Sequence, residues 1–128
     1  MYGHLKTVLA DKGRQVYVVS PNTSVRQAVR EMNEKGVGAL LVVDHGDPVG
    51  IFTERDVLRR VVDPGLNPDA TLVRRVMTVE IAVVEPTTTV EQAMSVMTQK
   101  RCRHLPVVED GRVVGMVSIG DLDRKSVV

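Results

Sequence analysis

Two short stretches of this chain set a hydroxyl and a carboxylate at matched spacing. GIFTERD runs from Gly50 to Asp56, and GMVSIGD runs from Gly115 to Asp121. Thr53 stands three residues before Asp56, and Ser118 three before Asp121. An ionised carboxylate only accepts hydrogen bonds, whereas a hydroxyl both donates and accepts. Such a pair in the first turn of a helix can receive two vicinal sugar hydroxyls on the carboxylate. The hydroxyl and the unpaired N–H groups of the helix start suit a phosphate. The same Thr/Ser-x-x-acid spacing is also the capping box, which finishes a helix and binds nothing else. On the motif alone the capping reading comes first, and duplication does not change that, since it copies caps as well.

The elements that must hold these residues are written twice. Shifted by 65 positions, Val18–Arg60 lies on Val83–Lys125 without a gap, and 17 of the 43 aligned residues are identical. Pro21 meets Pro86, Ala28 meets Ala93, Met32 meets Met97, Gly50 meets Gly115 and Asp56 meets Asp121. Two copies are too few for a solenoid, and one copy buries too little surface to stand alone. The expectation is two copies packed about a pseudo-twofold axis.

Each copy reads strand, helix, strand, strand, helix. Short apolar strands at Val16–Val19 and Ile81–Val84 stop at a Pro. Ser24 and Thr89 are suited to cap helices. Val25, Ala28, Val29 and Met32, like Val90, Ala93, Met94 and Met97, recur on one helical face, and these helices should end near Lys35 and Lys100. ALLVVD and HLPVVE read as buried strands. DHGDP and EDGRV read as turns, the second with the Asp-Gly hairpin signal. VGIFT and VGMVS return as antiparallel partners, while the first two strands of each copy should be parallel through a right-handed crossover. Closing helices are expected from Glu54 to about Val62 and from Ile119 to about Ser126. The domain reading is a leading segment at 1–15, a first repeat at 16–62, a linker at 63–79 that turns helical from about Ala70 to Met77, and a second repeat at 80–128. HLKTVLADK reads as a leading helix covering a face of the core. Asp123 meets Leu58, so the last helix should be shorter or more exposed than its twin.

Composition narrows the function classes. Hydrophobic residues make up 43% of the 128 and aromatics only 2%, so the core must be aliphatic. A formal charge of +1 gives no general pull toward nucleic acid or an anionic membrane. QKRCRH and Arg74–Arg75 are the basic stretches through which a nucleic-acid binder would act, and the net charge and the scarcity of aromatics argue against it. No apolar run is long enough to cross a bilayer, and the N-terminus lacks a signal core. Cys102, the single cysteine, permits no internal disulfide and reads as a small buried residue. His4, His45 and His104 show no metal-ligand spacing. There is no Gly-rich loop with Lys-Ser/Thr, no HExxH and no nucleophile elbow. A cytoplasmic, non-enzymatic protein is the expectation.

The duplicated order, the Gly-apolar strand ahead of Thr/Ser-x-x-Asp, and the phrases VGALLVV and RHLPVV resemble a CBS-domain pair, or Bateman module, of the small stand-alone bacterial type. The resemblance spans Val16 to Lys125. It implies an α/β fold of tandem CBS repeats, each β-α-β-β-α. It also implies a regulatory module without catalysis that binds an adenosine-containing molecule (AMP, ADP, ATP, NAD or S-adenosylmethionine) between the repeats. Carried onto this chain, Thr53, Asp56, Ser118 and Asp121 become nucleotide-binding residues. Arg55 is available for phosphate, and Gly120 replaces it in the second copy. That copy has KRCRH, Lys100–His104, where the first has KGVGA, and Arg103 and His104 are its phosphate candidates; they read equally as a cationic helix end that favours the dipole. The resemblance also implies a homodimer and an unknown effector protein. The rival reading is a ligand-free structural or dimerisation module that regulates a partner.

Overall fold

The computed structural model describes residues 3–126. The chain divides into two compact units. One holds Tyr17–Ile81, and the other combines the described residues up to Val16 with those from Ala82 onward.

In the unit of Tyr17–Ile81, β1 (Val18–Val19) leads into helix α2 (Val25–Lys35), then β2 (Ala39–Asp44) and β3 (Asp47–Thr53). The sheet order is β1-β2-β3, with β1 parallel to β2 and β2 antiparallel to β3. Ser24 caps α2 by accepting from the Gln27 N–H, and Gly36 ends it in the left-handed region at φ 65°. A two-residue turn, His45 (φ 50°) and Gly46 (φ 83°), joins β2 to β3, the double positive φ that a tight hairpin requires. After β3 come α3 (Glu54–Asp56) and a π-helical segment, Val57–Val62, where a plain α-helix was expected. The linker folds back as α4 (Val73–Val76). It is shorter than the expected Ala70–Met77 because Thr71 and Leu72 are spent on backbone pairing. Val25 N–H donates to Thr71 O, and Leu72 bridges Ser24. Val25, Ala28, Met32, Leu40, Val42, Phe52, Val61, Val73 and Val76 form the buried core.

The other unit contains α1 (Leu5–Lys12), α5 (Val90–Lys100), β4 (His104–Glu109), β5 (Arg112–Ser118) and α6 (Ile119–Ser126). β4 and β5 form an antiparallel hairpin whose turn, Asp110–Gly111, again has positive φ at both residues. The strand expected at Ile81–Val84 is reduced to a parallel bridge between Val84 and Val107. Pro106 explains the loss. In the first unit Leu41 N–H donates to Tyr17 O; the equivalent donor here would be Pro106, which has no N–H. The core is Leu5, Val8, Leu9, Val90, Ala93, Met97, Leu105, Val107, Val117 and Leu122, with Val84.

Helix α1 does for this unit what α4 does for the other. Val73 N–H donates to Thr23 O and Arg74 N–H to Pro21 O, while Leu5 N–H donates to Thr88 O and Lys6 N–H to Pro86 O. Thr23 and Thr88 are repeat equivalents, as are Pro21 and Pro86. The covering helices therefore correspond by a shift of 68, not the 65 of the repeats. Helix α1 and the residues just after α4 each press on the glycine that opens a motif. A Cβ on Gly50 would lie 2.8 Å from Met77 Sδ and 2.9 Å from Thr78 O, and one on Gly115 would lie 2.7 Å from Leu9 Cδ2. Only glycine admits such approach.

Candidate functional site

Each motif sits where a hairpin strand turns into a helix. In the first unit Thr53 ends β3 opposite Ala39 and is the N-cap of α3. Thr53 Oγ1 accepts from the Asp56 N–H at 3.3 Å, and Asp56 Oδ2 accepts from the Thr53 N–H at 2.9 Å. The capping box is complete, so one of the two readings of the motif is realised geometrically. The carboxylate does more than cap. Its Oδ1 accepts from the Thr78 hydroxyl at 3.0 Å, and Arg60 Nε lies 3.8 Å away. Asp56 is buried, at 5% exposure, which a charged group tolerates only with such partners. Arg60 also donates to Met77 O at 2.9 Å and so ties the π-helical segment to the end of α4. Arg55, the phosphate candidate, is half-buried beside them.

The second unit repeats the box with different support. Ser118 Oγ accepts from the Asp121 N–H at 3.2 Å, and Asp121 Oδ2 accepts from the Ser118 N–H at 2.8 Å. In place of a threonine hydroxyl, the Lys12 ammonium donates to Asp121 Oδ2 at 2.7 Å and to Met116 O at 2.8 Å. Burial pushes the Asp121 carboxyl up, but hydrogen bonds from Lys12 and Ser118 outweigh it and hold it below the ordinary value. Arg103 and His104 reach the same place. His104 pairs with Ser118 across the hairpin, and Ile119 N–H donates to Arg103 O at 2.8 Å. Arg103 is exposed and His104 half-buried. The structure thus gathers Thr53, Arg55 and Asp56 at one strand–helix junction, and Arg103, His104, Ser118 and Asp121 at the other.

The turn into β4 carries a further difference. Arg101 takes the left-handed cap position at φ 53° that Gly36 fills in the first unit. Cys102 follows, half-buried, and burial pushes its thiol up. Among the described residues no group of three or more His, Cys, Asp or Glu could hold a metal ion. Sequence reasoning missed Lys12, Thr78 and Arg60. Lys12 and Thr78 lie on the covering segments, outside the 65-residue register; only an alignment of α1 with the linker would have placed them beside the aspartates.

The family model for the CBS domain matches residues 12–63 and again 73–127. The chain belongs to the CBS-domain family. It is 44% identical over 106 residues to the CBS domain-containing protein CBSX3, mitochondrial, of Arabidopsis thaliana, covering 79% of this chain and 52% of that protein. The chain therefore spans about half the length of that relative. Its fold matches the crystal structure of the CBS domain NE2398 with a TM-score of 0.95 at 38% identity, covering 100% of each chain. It matches the hexameric CBS-CP12 protein from bloom-forming cyanobacteria with a TM-score of 0.88 at 29% identity, over 99% of this chain and 74% of that one. The protein is a CBS-domain pair, a regulatory kind of module, and each capping-box motif closes the hairpin of one CBS domain.

Proposed function

We propose that this CBS pair is a non-catalytic sensor of an adenosine-containing nucleotide: AMP, ADP, ATP or NAD, with S-adenosylmethionine a further candidate. The carrying observation is that both repeats place a buried or half-buried aspartate in a Thr/Ser-x-x-Asp box at the end of a hairpin strand. CBS domains generally bind adenosine-containing ligands, which gives those carboxylates a use beyond capping. Each carboxylate has four acceptor positions; the box uses one, and Thr78 at Asp56 or Lys12 at Asp121 uses another. A ribose diol supplies two donors, and each charge-assisted bond is worth roughly 1.5–3 kcal/mol. Thr53, Asp56, Ser118 and Asp121 take the ribose side of this reading, and Arg55, Arg103 and His104 the phosphate side. Occupancy would favour one arrangement of the protein over another, to be read by an effector protein.

Assembly belongs to the same reading. Leu58 is 62% exposed and Val62 63% on the π-helical segment, apolar surface that a homodimer would cover. The cyanobacterial CBS-CP12 relative is hexameric, so a larger assembly is the competing outcome in sedimentation. The same exposed face supports the second reading, a ligand-free dimerisation module acting on a partner. No helix among the described residues is long and apolar enough to cross a membrane. We place the chain in the cytoplasm, although the Arabidopsis relative is named mitochondrial; fractionation of the tagged protein decides between the two.

A melting scan tests the ligand class. A ligand that binds only the native protein raises its melting temperature by mass action. Millimolar adenosine nucleotides should raise it, and guanosine and pyrimidine nucleotides should do less. No shift with any of the five adenosine ligands would leave the ligand-free module as the function.

A further inference from the structure

The two aspartates differ in what holds them. Asp56 is met by a neutral hydroxyl, Thr78 at 3.0 Å, and its nearest cation, Arg60, stays at 3.8 Å. Asp121 is met by an ammonium at 2.7 Å. That ammonium is not a wandering surface charge. Leu5, Val8 and Leu9 of α1 are at most 2% exposed, so the helix is fixed on the core. Lys12 stands in its last turn, and Met116 O holds the ammonium from a second side at 2.8 Å.

We propose that Lys12 is a selectivity-setting residue that competes with ligand hydroxyls for Asp121, so that the second CBS motif takes ribose more weakly than the first. The inference rests on the nucleotide reading of the two motifs. An ammonium bonded to Oδ2 neutralises the charge that makes a ribose O–H···carboxylate bond strong. A neutral bond of this kind is about half as strong as a charge-assisted one. A ribose diol that uses both oxygens of Asp121 must share Oδ2 with Lys12 or push the ammonium aside, whereas at Asp56 it meets a hydroxyl that can rotate and a guanidinium that stays 3.8 Å away. The same competition makes α1 responsive. Ligand that loosens Lys12 loosens the last turn of the helix, where Gly13 N–H donates to Leu9 O at 2.8 Å. The leading helix thereby reports occupancy of the second motif.

The test uses AMP, the smallest probe with both ribose and phosphate, in the full chain carrying Asp56→Asn, which leaves the second motif as the titrated one. Lys12→Met and Lys12→Gln keep the stem and drop the charge. Either should tighten AMP by about five- to tenfold, and Lys12→Arg should leave affinity near that of the parent. In the parent, AMP should speed amide exchange at Lys12 and Gly13. Should Lys12→Met unfold the protein, Lys12→Gln carries the measurement alone. Unchanged or weaker AMP binding in the uncharged variants overturns the competition while leaving the nucleotide reading intact, and so does unchanged exchange on α1. Absence of AMP binding in the parent and every variant, and in wild type as well, removes the nucleotide reading at this motif and the competition with it.

Discussion

Replacing Gly50 by Ala should damage the protein more than the equivalent change at Gly115, although the two glycines occupy the same place in the repeat. The added methyl at Gly50 would meet Met77 Sδ at 2.8 Å and the Thr78 carbonyl at 2.9 Å. That carbonyl cannot retreat freely, because it accepts from the Ile51 N–H at 2.9 Å while the Thr78 N–H donates to Ile51 O at 2.9 Å. Moving it also drags the Thr78 hydroxyl from Asp56. Overpacking of this kind costs about 1–3 kcal/mol, and a weakened hydrogen bond adds about 1 kcal/mol. Against this stands about 0.5–1 kcal/mol gained because Ala loses less backbone entropy than Gly. The net expectation is a loss of about 1.5–3 kcal/mol. At Gly115 the methyl meets only the ends of the Leu9 side chain, at 2.7 and 2.9 Å. Leu9 can turn without breaking a backbone bond, so the loss should stay near 1 kcal/mol. Urea midpoints of the two single variants, read by far-UV circular dichroism, give the comparison. A Gly115→Ala variant as damaged as Gly50→Ala, or more so, would refute the reasoning that the Thr78 carbonyl is the rigid neighbour.

Other consequences are as direct. Arg101→Gly should stabilise the protein by about 0.5–1 kcal/mol, because Arg101 holds φ 53° where its repeat equivalent is Gly36; a lower thermal midpoint would contradict this. Hydrogen bonds from Lys12 and Ser118 hold the Asp121 carboxyl below the ordinary carboxylate value in the folded protein, so its contribution to stability is present above that ordinary value and is lost as pH falls through the lowered one. Lys12→Met should therefore flatten the acid limb of the stability profile below about pH 4, and denaturant midpoints across that range would show an unchanged limb if the ion pair were idle. Sedimentation equilibrium of Leu58→Glu and Val62→Glu variants should show smaller species than wild type, and identical masses would remove this face from the assembly.

Much of the fold was legible because the two halves repeat each other's punctuation. Ser24 and Thr89 start helices that end at Lys35 and Lys100, as the 3.6-residue spacing of Val25, Ala28 and Met32 implies. The hairpins were legible from Gly46 and Gly111. What escaped depended on single atoms or on distant pairing. Pro106 lacks one N–H, and the first strand of the second repeat shrinks to a bridge. Thr71 and Leu72 prefer pairing with α2's start over extending α4. Of the candidate site, the capping boxes of Thr53 with Asp56 and of Ser118 with Asp121 were legible, and both formed as spaced. Their partners Thr78 and Lys12 were not, because each arrives on a covering segment that the 65-residue register does not relate.

The most direct test of the account is a calorimetric titration of wild type, Asp56→Asn and Asp121→Asn with the adenosine nucleotide that gives the largest melting shift. Asn keeps one acceptor for the capping box and loses the charge. The account predicts saturable binding by wild type and a weakening of about ten- to a hundredfold when the occupied motif loses its carboxylate, with Asp56→Asn having the larger effect because Lys12 already occupies Asp121. Affinity unchanged in both variants would contradict the ribose role of these aspartates and leave them as helix caps.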